Sequence, residues 1–398
     1  MRILVVSQYF YPEEFKINDL VEELVKRGHD VTVLTGKPNY PKGQYFEGYS
    51  FWGYKKEVYK GAKVIRVPLI KRNNGNSLWL ILNYLSYVFF GGIYALACKT
   101  RFDSIFCFET SPITQIYPAL IFKKKHGTRV LMWVQDLWPE SVMAVGKMKN
   151  GTIFNLLNRM VRNIYRKCDV LFIQSKAFEA SICDKGDFKN KIIYAPNWAE
   201  DVFLTNKINC NKYKELFPTG FNVLFAGNVG IAQDFEAIIN AAEETKTIID
   251  INWIIVGDGT RLEYAKSLVK QKELKNMLFL GRYPVEDMPN FFVHADVMIV
   301  SLKDEHIFSL TIPSKTQAYM ASGKPIATMI NGVGNEVVAE SGCGMIAQAG
   351  DYKQLAENIK KMYNLTKFDL NQMGLNGLNY YNSNFEKEKI ITIIENNL

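Results

Sequence analysis

The sequence predicts an α/β protein made of two doubly wound, parallel-sheet domains in tandem. Three observations carry that expectation. The chain has 398 residues, enough for two ordinary domains. Short apolar runs alternate with helical patterns through the first half. The same alternation then starts afresh after Ala195-Pro196-Asn197-Trp198. A content of 48% apolar and 22% charged residues is that of a folded globular chain.

In the first half, strand-like runs fall at Ile3–Ser7, Val31–Thr35, Lys63–Val67, Ser104–Phe108, Arg129–Val134 and Val170–Gln174. The clearest helix between them is Ile17–Arg27, where Ile17, Leu20, Val21, Leu24 and Val25 form one apolar face, and Gly28 supplies a C-terminal stop. The second series has strands at Asn222–Ala226, Asn252–Val256, Met277–Leu280, Val297–Ser301 and Pro325–Met329. Its helices lie near Asp234–Glu244, Arg261–Gln271, Val285–Val293, Ser314–Ala321 and Lys353–Tyr363. Strands alternating with helices imply parallel sheets covered on both faces. The domains are expected over 1–195 and 200–375, with a join near 196–215. Ligands of such sheets bind beyond the carboxyl ends of the strands, so an active site is expected in the cleft between the two domains.

The segment Leu78–Cys98 has no charged residue over 21 positions, a length that would span a bilayer. It falls where the alternation requires a helix between two strands of one sheet, and a span there would divide that sheet across a membrane. Two readings remain, a buried core helix or an interfacial helix that dips Trp79, Tyr84, Tyr87, Phe89 and Phe90 into lipid. Charge favours the second. Residues 1–200 carry 29 Lys and Arg against 17 Asp and Glu, whereas 201–398 carry 19 against 23. A basic first half suits an anionic partner, and anionic lipid is one. No nucleic-acid motif accompanies the charge, so nucleic acid is not the expected partner.

Six cysteines and four histidines are scattered without ligand spacing, which predicts reduced thiols and neither disulfides nor a metal site. His29, beside Gly28, reads as structural. The opening run Arg2-Ile3-Leu4-Val5-Val6 reads as a strand rather than an export leader, so a cytoplasmic chain is expected.

Four loops carry candidate chemistry. Thr311-Ile312-Pro313-Ser314-Lys315 opens a helix after a strand, with Thr311 near the cap and Pro313 in the first turn. Its free amides and dipole suit a diphosphate, to which Ser314 and Lys315 would add a hydroxyl and a charge. Most helix starts of this composition bind nothing. Gly227-Asn228-Val229-Gly230 follows a strand closely enough for backbone to approach a ligand, and equally for a tight turn. Asp136 and Glu140, after the strand ending at Val134, are candidate catalytic or acceptor-binding carboxylates. Helix-capping or surface acids fit them as well. The aromatic loops Gln8–Lys16, with Tyr11, and Pro38–Gly43, with Asn39 and Tyr40, suit sugar rings and suit packing.

At these motifs the sequence resembles bacterial family-4 glycosyltransferases of the GT-B fold, in the WbuB-like (L-fucosamine transferase-like) branch with its colanic-acid relatives. The resemblance covers essentially the whole chain. It rests on Ser7–Lys16, Pro38-Asn39-Tyr40-Pro41, Gln135–Ser141, Gly227–Gln233, Gly281-Arg282-Tyr283-Pro284, Pro313-Ser314-Lys315 and Tyr319–Pro325. It implies two Rossmann-like domains facing across a cleft. The acceptor would lie in the first, at Tyr11, Lys16, Asn39 and Tyr40, and the nucleotide-sugar in the second. A last helix near 383–398 would cross back. It implies that Gly227, Asn228 and Gly230 approach the donor, that Thr311, Pro313, Ser314 and Lys315 form the phosphate site, and that Arg282 and Tyr283 line the base and ribose pocket. Asp136 falls in the acceptor-side acidic motif. A retaining transfer without metal or cofactor is implied, from a UDP-sugar to a polyprenyl-diphosphate-linked glycan at the inner membrane face.

One departure stands out. The family carries two glutamates where this chain has Leu310 and Ala318, and its usual histidine is replaced by Gln135. Aliphatic side chains cannot hold a ribose or a donor sugar. Gln317 or Glu305 is the expected substitute. A nucleotide-sugar epimerase or hydrolase, and an inactive sugar-nucleotide-binding protein, are the alternatives.

Overall fold

The computed structural model describes residues 1–73, 77–142, 151–205 and 208–398. The join expected near 196–215 includes 206–207, which lie outside that set. The chain divides into two compact units, Met1–Pro196 with Glu388–Leu398, and Asn197–Lys387.

The first unit holds an eight-stranded sheet, β1 (Arg2–Val6), β2 (Asp30–Gly36), β3 (Lys55–Tyr59), β4 (Ala62–Val67), β5 (Ser104–Glu109), β6 (Arg129–Val134), β7 (Val170–Ile173) and β8 (Ile192–Tyr194). Its order is β3-β4-β2-β1-β5-β6-β7-β8. Every pairing is parallel except β3 with β4. β3 carries no apolar run that marks a strand, because Lys55-Lys56-Glu57-Val58-Tyr59 lies on an edge, half in solvent, where charged side chains are usual. Helix α1 (Lys16–Lys26) buries Ile17, Leu20, Val21 and Leu24 and leaves Val25 at the margin. Each full burial is worth about 1.5–3 kcal/mol. Gly28 adopts φ +88° just past that helix, the left-handed stop that glycine tolerates.

Helix α2 (Ser77–Ala97) inverts the usual pattern. Its inward face is small and polar, with Asn83, Ser86, Gly91, Gly92 and Ala95 buried around Tyr87. Its outward face exposes Leu78, Ile81, Leu85, Phe89, Ile93 and Leu96. Glycine explains the inner face, since a Cβ on Gly91 would come within 2.8 Å of Pro118 in α3 (Tyr117–His126). Tyr87 is a correction to the list of interfacial aromatics: it is fully buried, and its hydroxyl donates to Leu34 O at 2.9 Å.

The second unit holds six parallel strands, β9 (Phe221–Ala226), β10 (Ile251–Val256), β11 (Met277–Gly281), β12 (Val297–Ser301), β13 (Ile326–Met329) and β14 (Gly344–Ala347). Their order is β11-β10-β9-β12-β13-β14. Its long closing helix, Lys367–Asn384, runs past the boundary expected at 375. Two glycines and five asparagines give that segment poor intrinsic helicity. Packing overrides it: Gly374 lies against the Gly323 backbone, and a Cβ on Gly377 would stand 3.0 Å from Cys343.

The helix joined to the first unit is Lys387–Glu395, not one opening at 383. It buries Ile390, Ile391 and Ile394. Arg27 grips it through Glu388 and Glu395, both at 2.6 Å, and His29 Nε2 lies 2.7 Å from Glu395. His29 is thus a clasp for this segment.

Candidate active site

Strand order reverses between β9 and β12 in the second unit, and the connections leaving those two strands run in opposite directions along the sheet. Such a switch point leaves a crevice at the carboxyl edge where ligands bind. After β9 comes Gly227-Asn228-Val229-Gly230. After β12 comes the segment leading to helix Ser314–Ala321.

The first loop is fixed by its neighbours. Gly227 N–H donates to Val256 O at 2.8 Å, Val229 N–H to Asp258 O at 2.9 Å, and Gly257 N–H to Gly281 O at 2.7 Å. Gln233 Oε1 accepts from Gly230 N–H at 3.1 Å and from Asn228 Nδ2 at 3.4 Å. Gly227 sits at φ +135°, outside the reach of ordinary side chains. A Cβ there would meet Lys315 Cε at 2.6 Å and Nζ at 3.0 Å. The Lys315 stem therefore lies across the bare face of Gly227, and its ammonium stands 5.0 Å from the Phe225 ring centroid.

Among the described residues Lys315 makes no ion pair. The residue keeps part of its surface in solvent, yet its ammonium end is closely surrounded. Burial alone pulls that ammonium down from 10.5 to about 8. A cation crowded by protein, with no counter-ion and beside a loop that only glycine can form, is suited to receive an anion. Pro313 is the N-cap of the helix and Ser314 its first residue, and no side chain caps it. Pro313 thus lies one step before the first turn rather than in it. Thr311 is further back, both its N–H and its hydroxyl donating to Phe308 O. Tyr319, fully buried, ties this helix to the end of β9 by bonding Ala226 N and O, both at 3.2 Å.

Other candidates are placed differently. Arg282 is exposed, next to Gly281 in the knitted loops. Tyr283 packs against Tyr213 and Phe291 at 5.1 and 4.6 Å. Ala318 is buried, and Gln317 is not its substitute: its amide donates to Asn197 O at 2.5 Å. Glu305 is exposed before the short helix His306–Ser309.

In the first unit the order reverses between β1 and β5. Gln8 N–H bridges these strand ends by donating to Gln115 Oε1 at 2.7 Å. Asp136, after β6, accepts from Ser111 N–H at 2.9 Å, and burial raises its carboxyl. Behind it Glu109 is fully buried, and burial pushes its carboxyl well up. The amides of Asp136 and Gln135 moderate that rise, but neither carboxyl oxygen closes a hydrogen bond among the described residues. Glu140 is committed elsewhere. It pairs with the buried Lys185 at 2.5 Å and accepts from Ser181 Oγ at 3.0 Å, the work of a brace.

Asn39 is fully buried, its amide donating to Lys37 O and its oxygen accepting from Arg72 N–H. Tyr40 stays exposed. Tyr11 is half in solvent over Tyr59, and Lys16 opens α1. Glu13 is one residue that sequence reasoning misses. Its carboxyl accepts the N–H groups of Asn39, Tyr40 and Phe10 at 2.8, 2.7 and 3.2 Å, and so fixes both aromatic loops. Burial raises it to about 7. As site residues Arg72 and Tyr84 escape it too, since nothing in their local sequence marks them.

Twin α/β sheets, each with a reversal of strand order at its centre, define a protein of the GT-B class. The family "Glycosyl transferase 4-like domain" matches residues 15–198, and "Glycosyl transferases group 1" matches 211–377. The chain belongs to the family-4 glycosyltransferases and is a transferase.

Among its relatives is WcaI of Escherichia coli K12, named as a colanic acid biosynthesis glycosyl transferase. It is 26% identical over 81% of this chain and 82% of its own length. WbjE of Pseudomonas aeruginosa, named as a glycosyltransferase, is 27% identical over 76% of each chain. Among solved structures, sucrose-phosphate synthase from Thermosynechococcus elongatus superposes with a TM-score of 0.74 at 15% identity, over 99% of this chain and 97% of that one. Anabaena HepE, in complex with UDP and glucose, gives 0.68 at 16% identity over 100% and 99%.

Proposed function

We propose that the protein moves an amino- or deoxy-hexose from a UDP-sugar, with retention, to a polyprenyl-diphosphate-linked glycan during assembly of a surface polysaccharide such as O-antigen or capsule. The observation that carries this reading is Lys315, a desolvated cation without a counter-ion among the described residues, set against the face of Gly227. The bond from the anomeric carbon to the diphosphate breaks as the acceptor hydroxyl bonds that carbon. Negative charge collects on the departing UDP. Lys315 and the first-turn amides of its helix meet that charge, with Arg282 at the rim; fixed donors aimed at developing charge supply the largest share of catalysis in such reactions. Asp136 holds the acceptor hydroxyl, whose proton leaves with the diphosphate. No metal or cofactor is needed for these steps.

The relatives support the polysaccharide setting, since WcaI is named for colanic acid, and HepE was captured with UDP. The outward apolar face of α2 and the basic first 200 residues support work at the inner face of the cytoplasmic membrane. One observation favours a second reading, an inactive sugar-nucleotide binder: Leu310 and Ala318 stand where the family has glutamates, and Gln317 is occupied.

Thermal shift with UDP and a panel of UDP-sugars tests the donor, and turnover against polyprenyl-linked glycans separates the two readings. An unchanged melting temperature at millimolar UDP and UDP-sugars would remove the donor assignment. Binding without turnover on any acceptor would favour the inactive binder.

A further inference from the structure

Beyond the end of β4, Arg72 stands in a ring of tyrosines. Its guanidinium carbon lies 5.1 Å from the ring centroid of Tyr40, 5.8 Å from that of Tyr9 and 6.0 Å from that of Tyr84. Tyr9 is buried and packs on Phe15 and Tyr40 at 5.4 and 5.6 Å, so the ring is braced. The Arg72 backbone is pinned by its N–H bond to Asn39 Oδ1 at 3.1 Å. A guanidinium has five donors. The one side-chain bond Arg72 makes among the described residues is long, from Nη2 to Tyr84 Oη at 3.4 Å.

No carboxylate among the described residues pairs with this charge. Glu13 and Asp136 are the acids whose charges reach Tyr9 and Tyr84, and both accept hydrogen bonds elsewhere. Asp136 takes Ser111 N–H, and Glu13 takes the three N–H groups of Phe10, Asn39 and Tyr40. Burial holds the hydroxyls of Tyr9 and Tyr84 in their neutral, donating form. A fork of charged N–H groups beside neutral hydroxyls, on a fixed backbone, fits phosphate oxygens. Tyr84 sits on α2, whose outward face is the exposed stripe of Ile81, Leu85 and Phe89. A phosphate held here would therefore lie beside a helix that prefers hydrocarbon.

We propose that Arg72, with Tyr9, Tyr40 and Tyr84, is the subsite for the phosphate of the acceptor, an amphiphile whose diphosphate adjoins its lipid chain. This rests on the lipid-linked acceptor proposed above. An anionic bilayer headgroup shares the same chemistry, so the test separates the two sources.

Farnesyl diphosphate, inorganic pyrophosphate, UDP and phosphatidylglycerol vesicles are each titrated into the full chain, into R72M and R72K, and into K315M. Far-UV melts check that each variant folds. Farnesyl diphosphate should bind R72M at least about tenfold more weakly than wild type, the loss expected for charge-assisted hydrogen bonds. R72K should fall between them, because ammonium cannot fork. UDP should bind R72M as it binds wild type, and K315M should show the reverse selectivity. Pyrophosphate competing with farnesyl diphosphate in wild type would identify the anion as the recognised group.

The proposal is overturned if R72M keeps farnesyl diphosphate affinity within twofold, if no protein binds that probe, or if only vesicle binding falls. Should UDP bind nothing while farnesyl diphosphate still depends on Arg72, the donor reading fails and this one stands.

Discussion

Replacing Lys315 with methionine keeps the stem that lies over Gly227 and near Phe225 and removes only the charge. The displacement of its ammonium from 10.5 to about 8 corresponds to a cost of about 3 kcal/mol for burying that charge with no counter-ion among the described residues. Contact with the Phe225 ring returns about 0.5–2 kcal/mol. The sign follows from linkage: a lysine depressed in the folded state costs its full amount below about pH 8, less between about 8 and 10.5, and nothing above. K315M should therefore be more stable than wild type at pH 7 by about 1–3 kcal/mol. For a domain of this size that raises the ligand-free melting temperature by about 2–10 °C. The same change should weaken UDP by roughly 10- to 150-fold, the loss of a charged hydrogen bond. Wild type should also take up a proton on binding UDP above about pH 8, visible by calorimetry in buffers of different ionisation enthalpy. A K315M protein that melts lower than wild type, or binds UDP within twofold of it, would refute the anion site.

Three further outcomes are expected. G227A places a Cβ 2.6 Å from Lys315 Cε at φ +135°, and should lose about 1–3 kcal/mol of stability with a matching loss of UDP affinity by calorimetry. Glu13 is raised from 4.5 to about 7, so its contribution is full below about pH 4.5 and is lost as pH rises through 7. Urea unfolding of E13Q against wild type should then drift in favour of glutamine by up to about 3 kcal/mol between about pH 5 and 8; a constant difference would count against it. L85D and F89D alter positions 57% and 61% exposed, so melting should hold. Sedimentation with anionic vesicles should meanwhile fall at least about tenfold, given about 1.5–3 kcal/mol per buried side chain.

The fold is legible in the sequence where apolar runs are long and flanked by clear stops, as at β1, α1, β6 and β9. Elements stabilised by their neighbours are concealed. β3 is charged and lies on an edge, and Lys367–Asn384 is helical because Gly374 and Gly377 allow close packing. The loop after β9 and the start of helix Ser314–Ala321 can be read because glycine spacing and a Ser-Lys helix start are local signals. That Lys315 meets Gly227 is a contact between residues 88 positions apart, which only the tertiary structure makes. The same holds in the first unit. Asp136 is visible beside its strand, whereas Glu13, Arg72 and Tyr84 acquire meaning from the three loops they join. Glu140 looks as suitable as Asp136 until Lys185 is seen against it.

The segment Glu388–Leu398 belongs to the first unit yet is made after the whole of the second. On the ribosome the Met1–Pro196 portion must wait, with Arg27 and His29 still unclasped and the surface that receives Ile390, Ile391 and Ile394 still bare, while Asn197–Lys387 is synthesised and folds. The second unit, by contrast, is continuous and can finish first, its ends already stitched by Tyr381 to Ala199 and by Lys387 to Asp201. Order of birth and order of completion are thus reversed. A nascent chain released short of Ile390 would carry a finished second unit on an unfinished first one, a product that quality control would meet as exposed hydrocarbon rather than as a missing activity.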